Sequence, residues 1–524
     1  MLGDRTTASY ACSRGCLGAV TREGWLGSLS AVGVKCNRLL GNVPQSDSHL
    51  LRRRWLRSIG GNVSAMKNLC KALLYAGILF GVSGLRCFGQ EVSGDYYDWL
   101  PTMEPERPWL HNYSQTVVMK MHLCDRDADG NVSKVYLNFS DALEVIKKLD
   151  NITLGIPKII YLVGWQFNGH DSKYPSWNKV NERLKRPEDK NAEQGLKWLM
   201  VEARKYHTTV SLHINMIDAY KDSPLWETYD KNNIILKDNS GEPIQGEVHG
   251  GMQSYQISYA QEWRTGFAQK RIDELLQILP ELKEAGTIHI DAFHSIQPVR
   301  PAMEPTRQDS DQLSSPYLGL TVEDEIAAQR KIIRYWRAMG LDVTTEGDTN
   351  HLKPDPFIGL VPMAWWYDPA AFTMFDWLHK PADFVGLPPR LYSGTPMHAE
   401  EEILRDPQHL EGLAQQFCEK VVPWYYANNT EPKEVGFNWT PNEYGVFVPA
   451  LWLPATIVAC GMTESGPDSK SIESWRLPQS WGKPSSVKMM RITPEGLEQQ
   501  AILPVSNNTI ELPLKAGEVY AIQK

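Results

Sequence analysis

Short apolar runs rich in β-branched residues alternate with helix-like stretches from about residue 115 onward. The runs lie at 117–123, 158–166, 209–217, 287–293, 341–347 and 359–366, with weaker examples in DFVGL and VVPWYY. Apolar residues at helical spacing mark 192–207, 260–279 and 322–340 between them. This alternation is typical of repeated β/α units, and no glycine-rich phosphate loop follows an early strand. We therefore expect an α/β fold whose parallel sheet closes into a (β/α)8 barrel of the TIM type.

The helical pattern stops near residue 437. Alternating runs such as SVKMMRIT, AILPV, NTIELPL and GEVYAIQ follow, separated by Pro, Gly and Asn. Short strands bounded by turn residues are typical of a β-sandwich. The sequence therefore predicts a catalytic barrel over 91–436 and a C-terminal β-sandwich over 437–524.

The first 90 residues carry a targeting pattern. The segment 66–90 has a short Lys-bearing start, an apolar run at 72–85 and then small residues, as a secretory signal peptide has. The apolar run is shorter than the ~20 residues of a membrane span, and a buried helix is the alternative interpretation. Because a signal peptide acts at the beginning of a chain, residues 1–65 are interpreted as a mis-assigned, disordered upstream extension. The mature protein is expected to be exported, to the periplasm, the cell surface or the medium, without a membrane span.

Charge and cysteine content exclude several classes of function. After residue 90 the chain has 42 basic and 59 acidic residues, a balance that argues against nucleic-acid binding. Five of the eight cysteines lie before residue 90. One of them, Cys87, is a candidate for lipid anchoring. Only Cys124, Cys418 and Cys460 remain, and neither zinc-ligand spacing nor an HExxH motif is present. We expect no disulfide framework, metal or cofactor, and a metal-dependent hydrolase is disfavoured.

Two carboxylates close neighbouring strands of the predicted barrel. Asp291 follows the apolar run Thr-Ile-His-Ile, and Glu346 ends LDVTTEG in the next unit. In such barrels the catalytic groups lie at the carboxyl ends of the strands. Glycoside hydrolysis requires two carboxyl groups, one acting on the anomeric carbon and the other on the leaving oxygen. Structural acids are the alternative, and the sequence leaves retention or inversion open.

Other strand ends carry residues suited to sugar binding. In GWQFNGHDSKYP, His170 and Asp171 follow Trp165 on the second strand, so hydroxyl-binding groups lie among aromatic rings. A turn stabilised by Asp and Gly is the alternative interpretation. Weaker candidates at other strand ends are His213, Asn215, Asp218, Trp365, Trp366, Tyr367 and Asp368.

The runs YLVGWQFNGHDSKYP, HIDAFHS and TTEGD resemble the catalytic barrel of the endo-α-N-acetylgalactosaminidases, glycoside hydrolase family 101. The resemblance covers roughly residues 115 to 460. It implies that Asp291 is the nucleophile and Glu346 the general acid/base of a retaining mechanism. It also implies that His170 and Asp171 bind N-acetylgalactosamine, and that the substrate is a mucin-type O-glycan or the glycoprotein that carries it.

The chain departs from this family in length and by an insertion-like stretch between Asp291 and Glu346, QPVRPAMEPTRQDSDQLSSPYLG. An exo-acting α-N-acetylgalactosaminidase and an α-galactosidase are therefore alternatives. A non-catalytic carbohydrate-binding barrel is a third.

Overall fold

The computed structural model describes residues 96–294, 313–346, 357, 359–363, 365, 391, 394–430, 445–461, 472–514 and 517–524. Within these residues the strands are β1 (Val117–His122), β2 (Cys124–Arg126), β3 (Val132–Val135), β4 (Lys158–Val163), β5 (Thr208–Ile214), β6 (Asp218–Ala219), β7 (Gln245–His249), β8 (Met252–Gln256), β9 (Thr287–Ile290), β10 (Leu313–Ser315), β11 (Leu320–Thr321), β12 (Asp342–Thr345), β13 (Thr395–Pro396), β14 (Gly445–Pro449), β15 (Thr456–Gly461), β16 (Ile472–Arg476), β17 (Ser486–Thr493), β18 (Gly496–Pro504), β19 (Thr509–Pro513) and β20 (Val519–Gln523). The α-helices are α1 (Phe139–Ile152), α2 (Ala192–Glu202), α3 (Trp226–Lys231), α4 (Tyr259–Arg264), α5 (Phe267–Ile278), α6 (Glu281–Ala285), α7 (Val322–Ala338), α8 (Glu400–Arg405), α9 (Glu411–Gln416) and α10 (Val422–Asn429). A π-helix, Phe417–Val421, precedes α10, and 3-10 turns cover Tyr113–Gln115, Glu182–Leu184, Ala203–Tyr206 and Gln479–Trp481.

Six strands form one sheet in the spatial order β12, β9, β5, β4, β1, β13, and every neighbouring pair is parallel. Five of these strands coincide with predicted runs, so the α/β class and the parallel sheet are confirmed. The short strand β13 was not predicted.

The sheet continues past β12 through hydrogen bonds to the run predicted at 359–366. Thr345 N–H donates to Met363 O at 3.3 Å, and Trp365 N–H donates to Thr345 O at 2.8 Å. The described residues of this run form no regular strand. The weaker candidate DFVGL lies outside the described residues.

One predicted strand is wrong, and one predicted helix is divided. VVPWYY is helical: Val421 ends the π-helix and the other five residues lie in α10, where Pro423 occupies the first turn. A proline is tolerated there because the first N–H groups of a helix have no partner within it, so an apolar β-branched run can begin a buried helix. The helix predicted at 260–279 breaks at Gly266, whose φ of +79° separates α4 from α5.

The helix that follows β3 shows how the sequence sets an element boundary. Asn138 accepts hydrogen bonds from Ser140 N–H and Asp141 N–H, and the Asp141 side chain accepts from Asn138 N–H. This capping box satisfies N–H groups that the first turn cannot pair internally. From there α1 packs Phe139, Ile146 and other apolar side chains into the core beside the sheet.

The amino end of β12 is fixed by a buried carboxylate. Asp342 pairs with Arg337 and accepts hydrogen bonds from Tyr113 Oη at 3.0 Å and Leu110 N–H at 2.8 Å. A buried charge is stable only when it is paired and hydrogen bonded, and Asp342 satisfies both conditions. These contacts hold the strand that carries Glu346 at its other end.

The last part of the chain forms a five-stranded antiparallel sheet, ordered β14, β15, β20, β17, β18, and a separate two-stranded sheet, β16 and β19. Alternate residues of β14 face different cores. Val446 and Val448 join the main core, whereas Phe447 joins a second core with Trp475, with ring centroids 5.0 Å apart. The strands predicted after residue 437 are present and pair antiparallel, whereas the β-sandwich itself stays a prediction. The predicted boundary at 436/437 lies outside the described residues.

Among the helices of the described residues, none combines the length and the apolar character that a membrane span needs. The predicted upstream extension and signal peptide lie outside the described residues.

Candidate active site

The carboxyl ends of the parallel strands bring Asp291, Glu346 and His213 to one edge of the sheet. Asp291 follows β9 and Glu346 follows β12, two strands that pair in register through Ile290 and Thr345. His213 lies near the end of β5. Parallel strands end at the same edge, so residues far apart in sequence become neighbours there.

Asp291 is held beside two polar groups of the neighbouring strand. Its N–H donates to Ile214 O at 2.8 Å, Asn215 Nδ2 donates to its Oδ2 at 3.3 Å, and His213 Nε2 lies 3.7 Å from Oδ2. Burial alone would raise the pKa of this carboxyl, but the contact with His213 and the positive charge of Lys120 hold it well below its usual range. Asp291 is therefore an ionised carboxylate at neutral pH.

Glu346 is paired with a lysine that the sequence reasoning missed. Lys120 Nζ contacts Glu346 Oε1, and His289 Nε2 lies 3.7 Å from the same oxygen. Both members of the ion pair are buried, with Lys120 5% and Glu346 8% exposed. A lysine among the apolar residues Val117–Met121 is the one signal in the sequence that could have identified it.

Four imidazole rings form a row across the floor of the site. His122 and His170, His170 and His213, and His213 and His289 have ring centroids 5.2, 5.7 and 5.4 Å apart. The pKa values of His170, His213 and His289 are lowered, and burial is the largest cause in each case. These three rings are neutral near pH 7, so each offers one N–H donor and one nitrogen acceptor.

Asp171 occupies a turn whose backbone is held by an arginine. Its φ is +52°, and Arg126 Nε donates to its carbonyl oxygen at 2.6 Å while Arg126 Nη2 donates to His249 O at 3.0 Å. The carboxylate Oδ1 is buried and accepts no hydrogen bond from the described residues, and His170 Nε2 lies 3.5 Å from it. Burial first, and then the charge of Asp291, raise the pKa of Asp171.

Asn215 is positioned by its own turn. Its Oδ1 accepts from Ile217 N–H at 2.7 Å and Asp218 N–H at 2.9 Å, which leaves Nδ2 to donate to Asp218 Oδ2 at 2.9 Å and to Asp291. The amide therefore links two carboxylates. Burial raises the pKa of Asp218.

The predicted aromatic residues Trp165 and Trp365 differ in their surroundings. Trp165 is fully buried and donates from Nε1 to His213 O at 2.9 Å, so it braces the histidine and exposes no ring face. Trp365 is 5% exposed, lies 4.8 Å from the His398 ring and has Lys120 Nζ 5.3 Å from its centroid. Trp366, Tyr367 and Asp368 lie outside the described residues.

Two side-chain groups in the described residues have metal-ligand spacing, with ligand atoms within 4.8 Å of one another: His122, Asp125 and His170, and His213, His289 and Glu346. In the first group, His122 Nε2 lies 2.7 Å from Asp125 Oδ1. In the second, the Lys120 ammonium already supplies a positive charge at Glu346.

Residues 122–351 match the family model described as endo-alpha-N-acetylgalactosaminidase, glycoside hydrolase family 101. The matched segment contains both Asp291 and Glu346. A search of curated proteins finds no match.

Several solved structures match this chain at low identity, and the matches cover between about a third and just over half of their lengths. The GalNAc complex of alpha-N-acetylgalactosaminidase NagBb from Bifidobacterium bifidum has 11% identity and a TM-score of 0.41, covering 67% of this chain and 56% of its own. The GH36 alpha-galactosidase AgaA from Geobacillus stearothermophilus has 11% identity and a TM-score of 0.36, covering 80% of this chain and 55% of its own. The ligand-free NagBb structure has 13% identity and a TM-score of 0.32, and the match covers 45% of this chain and 36% of that chain.

Proposed function

We propose a substrate and a mechanism for this protein, which is a glycoside hydrolase with a family 101-like segment at residues 122–351. It hydrolyses α-N-acetylgalactosaminyl linkages of mucin-type O-glycans with retention of configuration. Asp291 is the nucleophile and Glu346 is the general acid/base. The observation that carries this proposal is that an ionised, partly buried Asp291 and a buried Glu346 follow neighbouring parallel strands.

The charge states around Asp291 suit a nucleophile. A carboxylate that attacks an anomeric carbon must be ionised before the substrate arrives. Asn215 and His213 hold its Oδ2 from one side, at 3.3 and 3.7 Å. The Asn215 hydrogen bond fixes the direction of the carboxylate, and the contact with His213 lowers its pKa.

The two steps use each carboxyl group in turn. In the first step an Asp291 oxygen bonds to the anomeric carbon, the glycosidic C–O bond breaks, and the departing oxygen takes the proton of Glu346. In the second step the Glu346 carboxylate takes a proton from water, the water oxygen bonds to the anomeric carbon, and the bond to Asp291 breaks. Glu346 ends protonated, as it began.

The sugar is bound by the groups beside this pair. His170, Asp171, His213 and Asn215 offer neutral imidazoles, a carboxylate and an amide to its hydroxyl and acetamido groups. Trp365 and Trp366 are the proposed aromatic sugar-binding residues. The Asp171 oxygen that accepts no hydrogen bond from the described residues supports this assignment, because a buried carboxylate oxygen is stabilised by a hydroxyl donor from the ligand.

Hydrolysis of defined substrates tests the proposal. The purified protein is offered the nitrophenyl α-glycosides of N-acetylgalactosamine, of galactose and of the disaccharide galactosyl-β-1,3-N-acetylgalactosamine. Release of the intact disaccharide, first as its α-anomer by proton NMR, is the expected result. Cleavage of only one monosaccharide substrate would identify the exo-acting α-N-acetylgalactosaminidase or the α-galactosidase instead.

A matched pair of variants separates catalysis from binding. Asp291→Asn removes the proposed nucleophile, whereas Asp129→Asn makes the same change in an exposed turn. Loss of turnover only in the first variant is expected. Binding of the disaccharide without hydrolysis by the wild-type protein would favour the non-catalytic carbohydrate-binding barrel.

The same proposal includes the architecture and the location of the protein. The parallel sheet closes into a (β/α)8 barrel over 91–436, and the antiparallel strands form a C-terminal β-sandwich over 437–524. Hydrogen bonds beyond β12 to Met363 and Trp365 support closure. Residues 66–90 are a signal peptide that exports the chain, 1–65 are an upstream extension, and a glycoprotein outside the cytoplasm is the substrate.

A further inference from the structure

Lys120 lies where a β-strand of an enzyme core normally carries an apolar residue. It is the fourth residue of β1 and is 5% exposed, between Met119 and Met121, which are both fully buried. Its Nζ contacts Glu346 Oε1 and lies 5.3 Å from the centroid of the Trp365 ring.

Fold stability alone does not account for a lysine at this position. Taking an ammonium ion and a carboxylate out of water costs several kcal/mol per ion, and well-packed apolar side chains of similar volume are often at least as stabilising as a buried ion pair. Burial lowers the pKa of Lys120, while the charges of Glu400 and Asp291 raise it. Three carboxylates therefore favour the charged form of this one side chain.

We propose that Lys120 is a positioning residue that fixes the Glu346 carboxylate and sets the pH above which the enzyme can no longer protonate the leaving oxygen. The inference rests on the proposed function, because it concerns the acid/base of that reaction. Lys120 acts through Glu346.

Several other titratable groups face this ion pair. They are His170 after β4, His213 on β5, His289 and Asp291 at β9, His398 before α8, and Glu400 in α8. Burial lowers the pKa of His213 and His289, so these rings are neutral at neutral pH. The negative charges of Asp291 and Glu400 oppose ionisation of Glu346, and the Lys120 contact favours it.

The sign of the effect on catalysis follows from the charge. A positive neighbour favours the carboxylate over the carboxylic acid, so Lys120 makes Glu346 lose its proton at a lower pH. The glycosylation step needs the protonated form, and kcat/KM falls as that form is lost. Removing the positive charge must therefore move the alkaline limb of the kcat/KM profile to higher pH.

The test compares Lys120→Met with Lys120→Arg, using a disaccharide glycopeptide whose leaving group requires a proton. In Lys120→Met we expect the alkaline limb to move upward by about 1 pH unit or more. In Lys120→Arg the charge is kept, so the limb stays at the wild-type pH even where the altered geometry lowers kcat. A purely structural role would reduce activity or stability without moving the limb.

Lys158→Met is the matched control. Lys158 is also buried and paired, with Nζ 2.6 Å from Asp150 Oδ1, but it begins β4 at the amino end of the sheet, away from Glu346. This variant is expected to lose stability and to keep the wild-type limb.

Three results would overturn the inference. They are an unshifted limb in a folded and active Lys120→Met, an equal shift in Lys158→Met, and disappearance of the limb in Lys120→Arg, which would mean that Lys120 itself titrates. Thermal unfolding shows whether Lys120→Met is folded, and Lys120→Arg supplies the comparison if it is not. Failure of the wild-type protein to hydrolyse any of the α-glycosides would instead refute the proposed function.

Discussion

Asp171→Asn should make the protein more stable and less active. In the folded protein the carboxylate is largely buried, with 15% of the side chain exposed, and its Oδ1 accepts no hydrogen bond from the described residues. A buried group left unsatisfied typically costs about 1–3 kcal/mol, and a charged group costs more. The asparagine amide has the same shape without the charge, and asparagine tolerates the φ of +52° at this position.

The gain in stability should depend on pH. Burial and the charge of Asp291 raise the pKa of Asp171 in the folded protein above its unfolded value, which is about 3.9. The folded state therefore binds this proton more tightly, and the resulting stabilisation is complete below the unfolded pKa and is lost as the pH rises through the folded pKa. We expect Asp171→Asn to exceed the wild type by about 1–3 kcal/mol at pH 8 and by less at pH 5.

Urea denaturation at pH 5 and pH 8, with kcat/KM measured on the same preparations, tests both halves of this prediction. Losing a charged hydrogen bond to the sugar costs about 1.5–3 kcal/mol, so kcat/KM should fall roughly 10-fold to 150-fold. Asp129→Asn, in an exposed turn, should change neither quantity. A variant that is less stable at pH 8 and keeps wild-type kcat/KM would show that Asp171 stabilises its turn and does not bind sugar.

Further predictions concern the reaction, the backbone and the leader. Asp291→Ala should leave almost no activity on any substrate. Glu346→Ala should lower the rate on glycopeptides by roughly two to four orders of magnitude and the rate on nitrophenyl glycosides much less, and added azide should yield an α-azide product. Equal losses on both substrates without azide rescue would contradict the acid/base role. Gly164→Ala should unfold the protein at lower urea concentration, because its Cβ would lie 2.2 Å from Cys124 O, and unchanged denaturation would contradict the packing. Amino-terminal sequencing of exported protein should find a start between residues 87 and 91, and a mature chain that keeps residues 1–65 would refute the signal peptide.

The sequence was sufficient to predict which residues lie at strand ends, because that depends only on their order along the chain. Asp291 and Glu346 each follow an apolar run, and parallel strands bring such ends together whatever the register. The register itself was not predictable. The row of imidazoles depends on it, because His213 pairs with His289 across β5 and β9, and nothing in either run alone indicates that pairing.

Lys120 and the α10 segment show two further limits of sequence patterns. A single lysine in a strand usually points to solvent, and its burial becomes understandable only when Glu346, more than 200 residues later, lies against it. In VVPWYY, β-branched and aromatic residues indicated a strand. Tertiary packing favoured a helix, in which Trp424 donates from Nε1 to Gly394 O at 2.9 Å.

Several buried polar groups at the carboxyl ends of the parallel sheet lack the partners that Asp342 and Lys158 have at the amino ends. At the amino ends, Asp342 and Lys158 have ion-pair and hydrogen-bond partners within the protein. At the carboxyl ends, both ring nitrogens of His213 and Oδ1 of Asp171 are buried and form no hydrogen bond with the described residues. A buried polar atom without a partner lowers the free energy of unfolding, and a ligand that supplies the partner recovers that energy as affinity. The amino ends therefore hold the strands in register, and the carboxyl ends keep hydrogen-bonding capacity for a polyhydroxylated substrate.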